Sequence, residues 1–589
     1  MTLEPAPATT RTRIGWGCVW LLGLATVLVI FRQPPEVMTD AGTCLLAAEQ
    51  FHQRGNIDFH TLVETNARQL GQEAATPITW WPASYAGFPY LFRCLGLNWG
   101  RSLQIVILVG WLLGTWGWTR FFRLLLSPSI LPWFVATFLM FRYTHANANV
   151  YDAGEFLFWA FFPWVLLANL QAMRTPAQRA EQTPTWVLLA NLQAMRTAGV
   201  DHGRISILIA MAGMLTALLV TVKYSAGLSA LGIAMGWIFV VLRYQVPWHR
   251  LGFWILGAVL GTILISFSGL LPTGNPGTVR SGIQWTALCW GPGAWTFAIT
   301  DLESLVARLI LNQPGSWLPA IGRYGDGGIT LLAPITLGLL LGLWFMVRRE
   351  GKVADPTGTW NSALPAAQRG RIQLVVVVHL VTFTVVLTGL VFAGSAIHMD
   401  SRFLRPAAIA FLPWIVAGIV KATHSSRLST RLVGYATLGL FIVIPAGYGA
   451  ATAAYKTVIR GQGAAARTGP LGIRHDLLDE AGNAHDFYRE LQQLQTGPTT
   501  TYYLLEHALA LPLAKQPVII EHSHLRSREH LAGKRYLGRP AHGLILVVPG
   551  RFADNGKLAT IQDSFIDIKR WQTRGLASQP DWLVSISQP

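Results

Sequence analysis

Five charged residues stand close to long apolar runs. Asp40 lies nine residues beyond the run Ile14–Phe31. Asp152 and Glu155 open another in "NVYDAGEFLFWAFFPWVLLA", Lys223 ends one in "LLVTVKYSAGL", and Arg402 precedes one in "HMDSRFLRPAAIAFLPW". Charge near hydrocarbon is costly and usually has a partner or a task. A carboxylate there can accept a proton from a hydroxyl within hydrogen-bond reach. Two carboxylates can hold a divalent cation, and ammonium or guanidinium groups hold oxyanions. Each residue also has a plain structural reading that the sequence leaves open. Asp40 suits the N-cap of a following helix, and Asp152 and Glu155 suit a helix start. Arg402 can pair with Asp400 or turn to lipid head groups, and Lys223 can snorkel. His398 joins the group by its proximity to Asp400, whereas His379, inside an apolar run, reads as a packed, hydrogen-bonded core residue.

Positioning such residues falls to membrane helices. Of 589 residues, 52% are hydrophobic and only 13% charged, with mean hydropathy +0.38. Soluble chains carry roughly twice that share of charge. The net charge of +17 does not imply nucleic-acid binding, because no basic patch interleaved with aromatics occurs. Instead, Lys and Arg flank the apolar runs on one side, as orientation in a bilayer requires.

The first expected span, Ile14–Phe31, follows Arg11 and Arg13 and lacks a small-residue cleavage site, so it reads as an uncleaved anchor with a cytoplasmic N-terminus. Ten more are expected near 103–119, 124–141, 156–173, 205–222, 226–242, 251–271, 329–347, 372–394, 404–420 and 432–452. An odd count places the C-terminus outside a cell (inner) membrane. The expected cytoplasmic segments hold most of the arginines, while the short external turns hold only Arg142, Lys223, Arg402 and Arg405. The domains are then a transmembrane part, 1–455, with external loops 32–102 and 272–328, and an external α/β part, 456–589. In the latter, "TTYYLLE", "PVIIEHS" and "GLILVVPG" read as strands and "HDFYRELQQLQ" as helix. An amphipathic surface helix is expected in "DLESLVARLIL", and a short helix after Asp40, with Cys44, Leu45, Ala48 and Phe51 on one face. The segment "WVLLANLQAMRT" occurs twice, at 164–175 and 186–197. The second copy is too short to cross a bilayer and lengthens a cytoplasmic loop. Cys44 and Cys94 share loop one, and a disulfide between them stays open beside two free thiols.

In loop one, Asp40 and its helix are followed by "ITWWPASYAGFPYLF", with Trp81, Pro82, Tyr85 and Pro89. This order resembles the GT-C superfamily of membrane glycosyltransferases, in particular the protein O-mannosyltransferase and aminoarabinose transferase type. Asp152 and Glu155 are similar to that superfamily's second external acidic site, although here the spacing is D-x-x-E. Lys223 resembles its cationic turn, and Arg402, Phe403, Pro406 and Pro413 resemble its late R-[YF]-x-x-P-x-x-P motif with altered spacing. The resemblance spans residues 10–450.

The resemblance implies a mainly α, GT-C-like polytopic fold and transfer of a sugar from a polyprenyl-phosphate donor to a glycan, lipid or protein acceptor. Asp40 would be the base, Arg402 and Lys223 would bind the donor phosphate, and Asp152 and Glu155 would orient the acceptor or hold a metal. Trp81, Tyr85 and His398 would line the substrate loops. The cofactor stays open, a divalent cation such as magnesium or manganese being one candidate. Two other classes compete. A lipid or sugar transporter usually shows inverted repeats and mid-membrane charges, which this sequence lacks. A catalytically silent scaffold of the same fold is favoured by the absent D-x-E pairing.

Overall fold

The computed structural model describes residues 10–55, 58–78, 81–146, 148–173, 201–267, 285–301, 332–349, 358–362, 364–394, 401–459, 461, 463–521 and 527–588. Among these, eight helices are long and apolar enough to cross a membrane. They are α1 (Thr10–Arg32), α4 (Trp99–Leu125), α7 (Ala153–Ala172), α9 (Ala226–Tyr244), α10 (Trp248–Phe267), α13 (Ala366–Phe392), α14 (Arg405–Thr423) and the helix α15 (Leu428–Val458). Shorter apolar helices α8 (Asp201–Leu218) and α12 (Leu332–Arg349) match two further expected spans. The chain is a multi-pass, mainly helical membrane protein.

Two expectations need correction. The span expected at 124–141 is not one helix but a broken run, α5 (Leu131–Leu139) and α6 (Arg142–Ala146). Pro132 lies against Gly15 near one end of α1, and Asn149 donates to Gln33 at 2.9 Å beyond its other end. The run therefore covers the length of α1 without a continuous helix. Its break is buried in protein, where non-helical backbone is tolerated at membrane depth. Gly449 of α15 packs directly on the backbone of Met140 to Arg142.

The second correction concerns 272–328. Residues Thr286–Thr300, inside the stretch expected as loop, form a helix, α11, packed among α12, α13 and α14. Trp285 stacks edge-on to Phe392 at the end of α13, and Asp301 faces Arg405 at the start of α14. Both ends of α11 thus meet the same end of the bundle. Of the expected helix "DLESLVARLIL", all but Asp301 lies outside the described residues, as does the second repeat copy.

Small residues set the packing. Gly110, Gly114 and Gly117 of α4 lie on one face against Phe156, Trp159 and Pro163–Trp164 of α7, the close approach that membrane helices use in place of a hydrophobic drive. Asn169 of α7 is the polar centre of the bundle. It donates to Thr216 Oγ1 at 2.9 Å and accepts from Trp237 Nε1 (2.9 Å) and Trp254 Nε1 (2.8 Å), tying α7, α8, α9 and α10. His379 is packed as expected, stacked on Phe162 at 5.1 Å, but its ring nitrogens have no hydrogen-bond partner among the described residues.

Loop one folds onto one end of the bundle. Its elements are β1 (Glu36–Val37), α2 (Thr39–Arg54), a β2–β3 hairpin (Thr61–Thr65, Glu73–Pro77) and α3 (Ser84–Cys94). α2 is not amphipathic: every residue from Ala41 to Gln50 is buried. Glu49 explains how a carboxylate survives there. Arg93 holds it at 2.9 and 3.0 Å, and Trp99 Nε1 donates to it at 2.7 Å. Gln50 exchanges two hydrogen bonds with the backbone of Val63, 2.7 and 2.8 Å, so its amide substitutes for a strand. Cys44 and Cys94 are free thiols.

The C-terminal part carries the three expected strands and two more. β5 (Thr500–Leu504), β6 (Val518–Ile520) and β7 (His542–Pro549) run parallel, and β8 (Trp571–Gly575) and β9 (Trp582–Ser587) complete the order β6-β5-β7-β9-β8. The expected helix is α16 (Ala484–Gln493). This domain sits on loop one, at what we call the domain face. The opposite ends of the spans form an arginine-rich face.

Candidate active site

A two-residue parallel bridge explains why distant acids meet. β1 pairs with β4 (Val150–Tyr151) in the register Glu36–Val150 and Val37–Tyr151. α2 starts just after β1 and α7 just after β4, so the first turns of two helices emerge side by side. Asp40 is on one and Asp152 and Glu155 are at the other. Met38 caps α2, with Asp40 in its first turn; the N-cap reading of Asp40 is therefore wrong, although its charge still suits the helix dipole.

The cations come from two other places. Arg402 Nη1 reaches Asp152 Oδ2 at 3.3 Å, across 250 residues of sequence. Lys223, nearly buried, forms an ion pair with Glu155 and lies 4.4 Å from the ring of Phe403. Neither cation is a snorkelling side chain. The cluster thus closes on itself: Arg402 to Asp152, Glu155 to Lys223, Lys223 to Phe403.

α3 forms the wall. Tyr151 Oη donates to the carbonyl of Tyr85 at 2.8 Å, and Ser84 Oγ donates to the carbonyl of Thr221, two residues before Lys223. Tyr85 Oη occupies the space where a Cβ on residue 154 would stand; only glycine fits there. Burial, then Glu155, Asp152, Cys44 and Asp40, hold the Tyr85 phenol well above its ordinary value, so it keeps a proton to donate. Asp152 is pushed up to about 6, first by desolvation and next by Glu155, with Arg402 and Lys223 opposing and Asp40 adding to the rise.

The structure thus brings together Asp40, Asp152, Glu155, Lys223, Arg402 and Tyr85. The carbonyl of Trp81 accepts from His60 Nε2 at 2.8 Å. His398 and Asp400 lie outside the described residues. Behind the cluster is a group that the sequence did not single out. Arg142 and Arg405 share buried Asp301, with Arg142 Nη2 at 3.4 Å and Arg405 Nη2 at 3.9 Å from its Oδ1. Asp301 has the left-handed backbone (φ 52°) of a C-terminal helix cap. Its signal was only the position of an acid at the end of an apolar segment.

As a metal site, Asp152 and Glu155 fit poorly. Each already has a side-chain cation as counter-ion, which a divalent ion would have to displace. Among the described residues no three His, Cys, Asp or Glu side chains form a metal-holding group.

No protein-family model matches the sequence, and no curated protein matches it. Solved structures are similar to it over most of its length. ArnT from Cupriavidus metallidurans bound to undecaprenyl phosphate is 13% identical, with 97% of this chain and 98% of that one covered at a TM-score of 0.38. The same enzyme in the apo state is 14% identical, covering 98% and 99%, at 0.39. The Archaeoglobus fulgidus oligosaccharyltransferase in the apo form is 9% identical, covering 93% and 71%, at 0.41.

Proposed function

We propose that the protein is a membrane glycosyltransferase that moves a sugar from a polyprenyl-phosphate donor to a hydroxyl-bearing acceptor at the domain face, which faces the outside of the cell membrane. The observation that supports this reading is the convergence of four separate sequence motifs on one charged cluster beside the membrane. Two ion pairs, Arg402–Asp152 and Lys223–Glu155, define it.

In this reading the donor's phosphate lies near Arg402 and Lys223, and its chain stays in the lipid. The acceptor oxygen attacks the anomeric carbon, the bond from that carbon to the phosphate oxygen breaks, and the phosphate leaves with the electron pair. The acceptor's proton passes to Asp40. Arg402 and Lys223 stabilise the charge developing on the leaving phosphate. Asp152 and Glu155 keep both cations in place and accept hydrogen bonds from the acceptor. Tyr85, fixed as a donor, adds a hydrogen bond. No step needs a metal, the two cations already neutralising the acids.

The test is sugar transfer from labelled polyprenyl-phosphate sugars by the purified protein, comparing wild type with Asp40→Asn. Loss of a general base typically costs about 10²- to 10⁴-fold. A mutant as fast as wild type removes Asp40 from the mechanism.

A further inference from the structure

The parallel strands of the C-terminal sheet have a switch point. From β5 the chain turns to β6 on one side, then returns to β7 on the other. In open sheets of this kind ligands bind in the crevice outside the carboxyl ends of the strands at such a point. Here the carboxyl end of β5 is not open to solvent. It faces the first turn of α2. Thr39 Oγ1 donates to Glu506 Oε2 at 3.2 Å, two residues past the end of β5. One turn on, Gly42 packs so closely against His507–Ala508 that an added Cβ would stand 3.2 Å from the Ala508 nitrogen. Glu506 is 9% exposed.

We propose that Glu506 is a positioning residue for Asp40, so that the C-terminal domain completes the base side of the site. Thr39 and Asp40 are consecutive, and their α-carbons are about 3.8 Å apart. A hydrogen bond that fixes Thr39 therefore fixes the turn that aims Asp40. The contact is specific rather than merely adhesive. Apolar burial of α2 is already supplied further along, where Leu45 and Leu46 are fully buried, and does not require a desolvated carboxylate, which is costly. Here the cost falls beside the residue that precedes the candidate base. Gly42 serves the same end, since a Cβ there would crowd the backbone of Ala508.

The kinetic arm of the test rests on the sugar-transfer reading; the exchange arm does not. In the purified full-length protein, Glu506→Ala and Thr39→Val are expected to lower kcat about tenfold, the loss of roughly 1.4 kcal/mol, with the donor KM within about twofold of wild type. Glu506→Gln, which keeps an acceptor for Thr39, is expected to retain most of the rate. In the absence of any donor, hydrogen exchange at residues 38–44 should rise in Glu506→Ala and Thr39→Val, while residues 45–54 stay protected. Wild-type kcat in Glu506→Ala, or a raised donor KM at unchanged kcat, overturns the proposal. So does unchanged exchange at 38–44. If no preparation transfers sugar, the functional reading fails and the exchange arm alone decides. If Glu506→Ala does not fold, Thr39→Val carries both arms.

Discussion

At the scale of single residues the cluster is an exercise in charge compensation, and Asp152 is its most sensitive member. Its carboxyl is pushed up to about 6, desolvation outweighing the attraction of Arg402 and Lys223. In the unfolded chain it would titrate near 4. The folded state therefore binds the proton more tightly between about pH 4 and pH 6, and stability falls as pH rises through that window. Asp152→Asn should remove this part of the pH dependence, read as the melting temperature of the detergent-solubilised protein from about pH 4 to 7. An unchanged profile would refute the assignment. The Lys223–Glu155 pair makes a second prediction. Lys223→Met leaves Glu155 partly buried without its cation, which typically costs about 3 to 5 kcal/mol. The double change Lys223→Met with Glu155→Gln should recover much of the loss, measured as a coupling energy in a double-mutant cycle. Additive losses would show that the pair is not coupled. All five of these charged residues were legible in the sequence, because charge at the end of an apolar run is conspicuous. Their partners were not. Asp152 and Arg402 are separated by 250 residues, and nothing local in either segment names the other. Glu506 was hidden further still, as one acid in a soluble domain with many.

At the scale of elements, two buried polar groups hold the frame. Asn169 satisfies the indole N–H groups of Trp237 and Trp254 and the hydroxyl of Thr216 at once. Asn169→Leu would strand two buried donors, each worth about 1 to 3 kcal/mol. The expected result is a melting temperature several degrees lower in detergent with the donor KM unchanged, because its partners Thr216, Trp237 and Trp254 are not members of the charged cluster. A wild-type melting curve would mean that the indoles find other partners. Glu49 is the corresponding anchor for α2. The sequence shows a short helix here with one apolar face, and the helical period itself is correct. The reading failed because periodicity reports one buried face, whereas α2 is enclosed by α3, the β2–β3 hairpin and the C-terminal domain together. α11 was not legible either, its apolar run being interrupted by one proline and two glycines in "CWGPGAW". In a bundle those residues permit close approach: Gly293 packs on the backbone of Ala333 and Gly291 on Thr388. Long spans were legible because length and apolarity suffice to define them. The broken run of α5 and α6 was not, since its helical interruption depends on α15 covering Met140 to Arg142.

At the scale of the whole molecule, the distribution of cations argues for one orientation. The arginine-rich face gathers Arg120 and Arg123 at the end of α4, Arg243 at the end of α9, Arg348 and Arg349 at the end of α12, and Arg369 and Arg371 at the start of α13. The short turns at the domain face hold Arg142, Lys223, Arg402 and Arg405, and each of these is paired with a carboxylate: Asp301, Glu155, Asp152 and again Asp301. They are few beside the cations of the arginine-rich face, and that excess on one side is what sets orientation. The domain face, with loop one, the cluster and the C-terminal sheet, is expected outside. Cys94 offers a native probe of this, being an exposed free thiol at the end of α3, whereas Cys44 is buried. A membrane-impermeant maleimide should label Cys94 in intact cells, and Cys94→Ser should lose the label. If Cys94 is labelled only after permeabilisation, loop one is cytoplasmic. The donor phosphate, Asp40 and the acceptor would then share the wrong side of the membrane, and the paired cations would need another explanation.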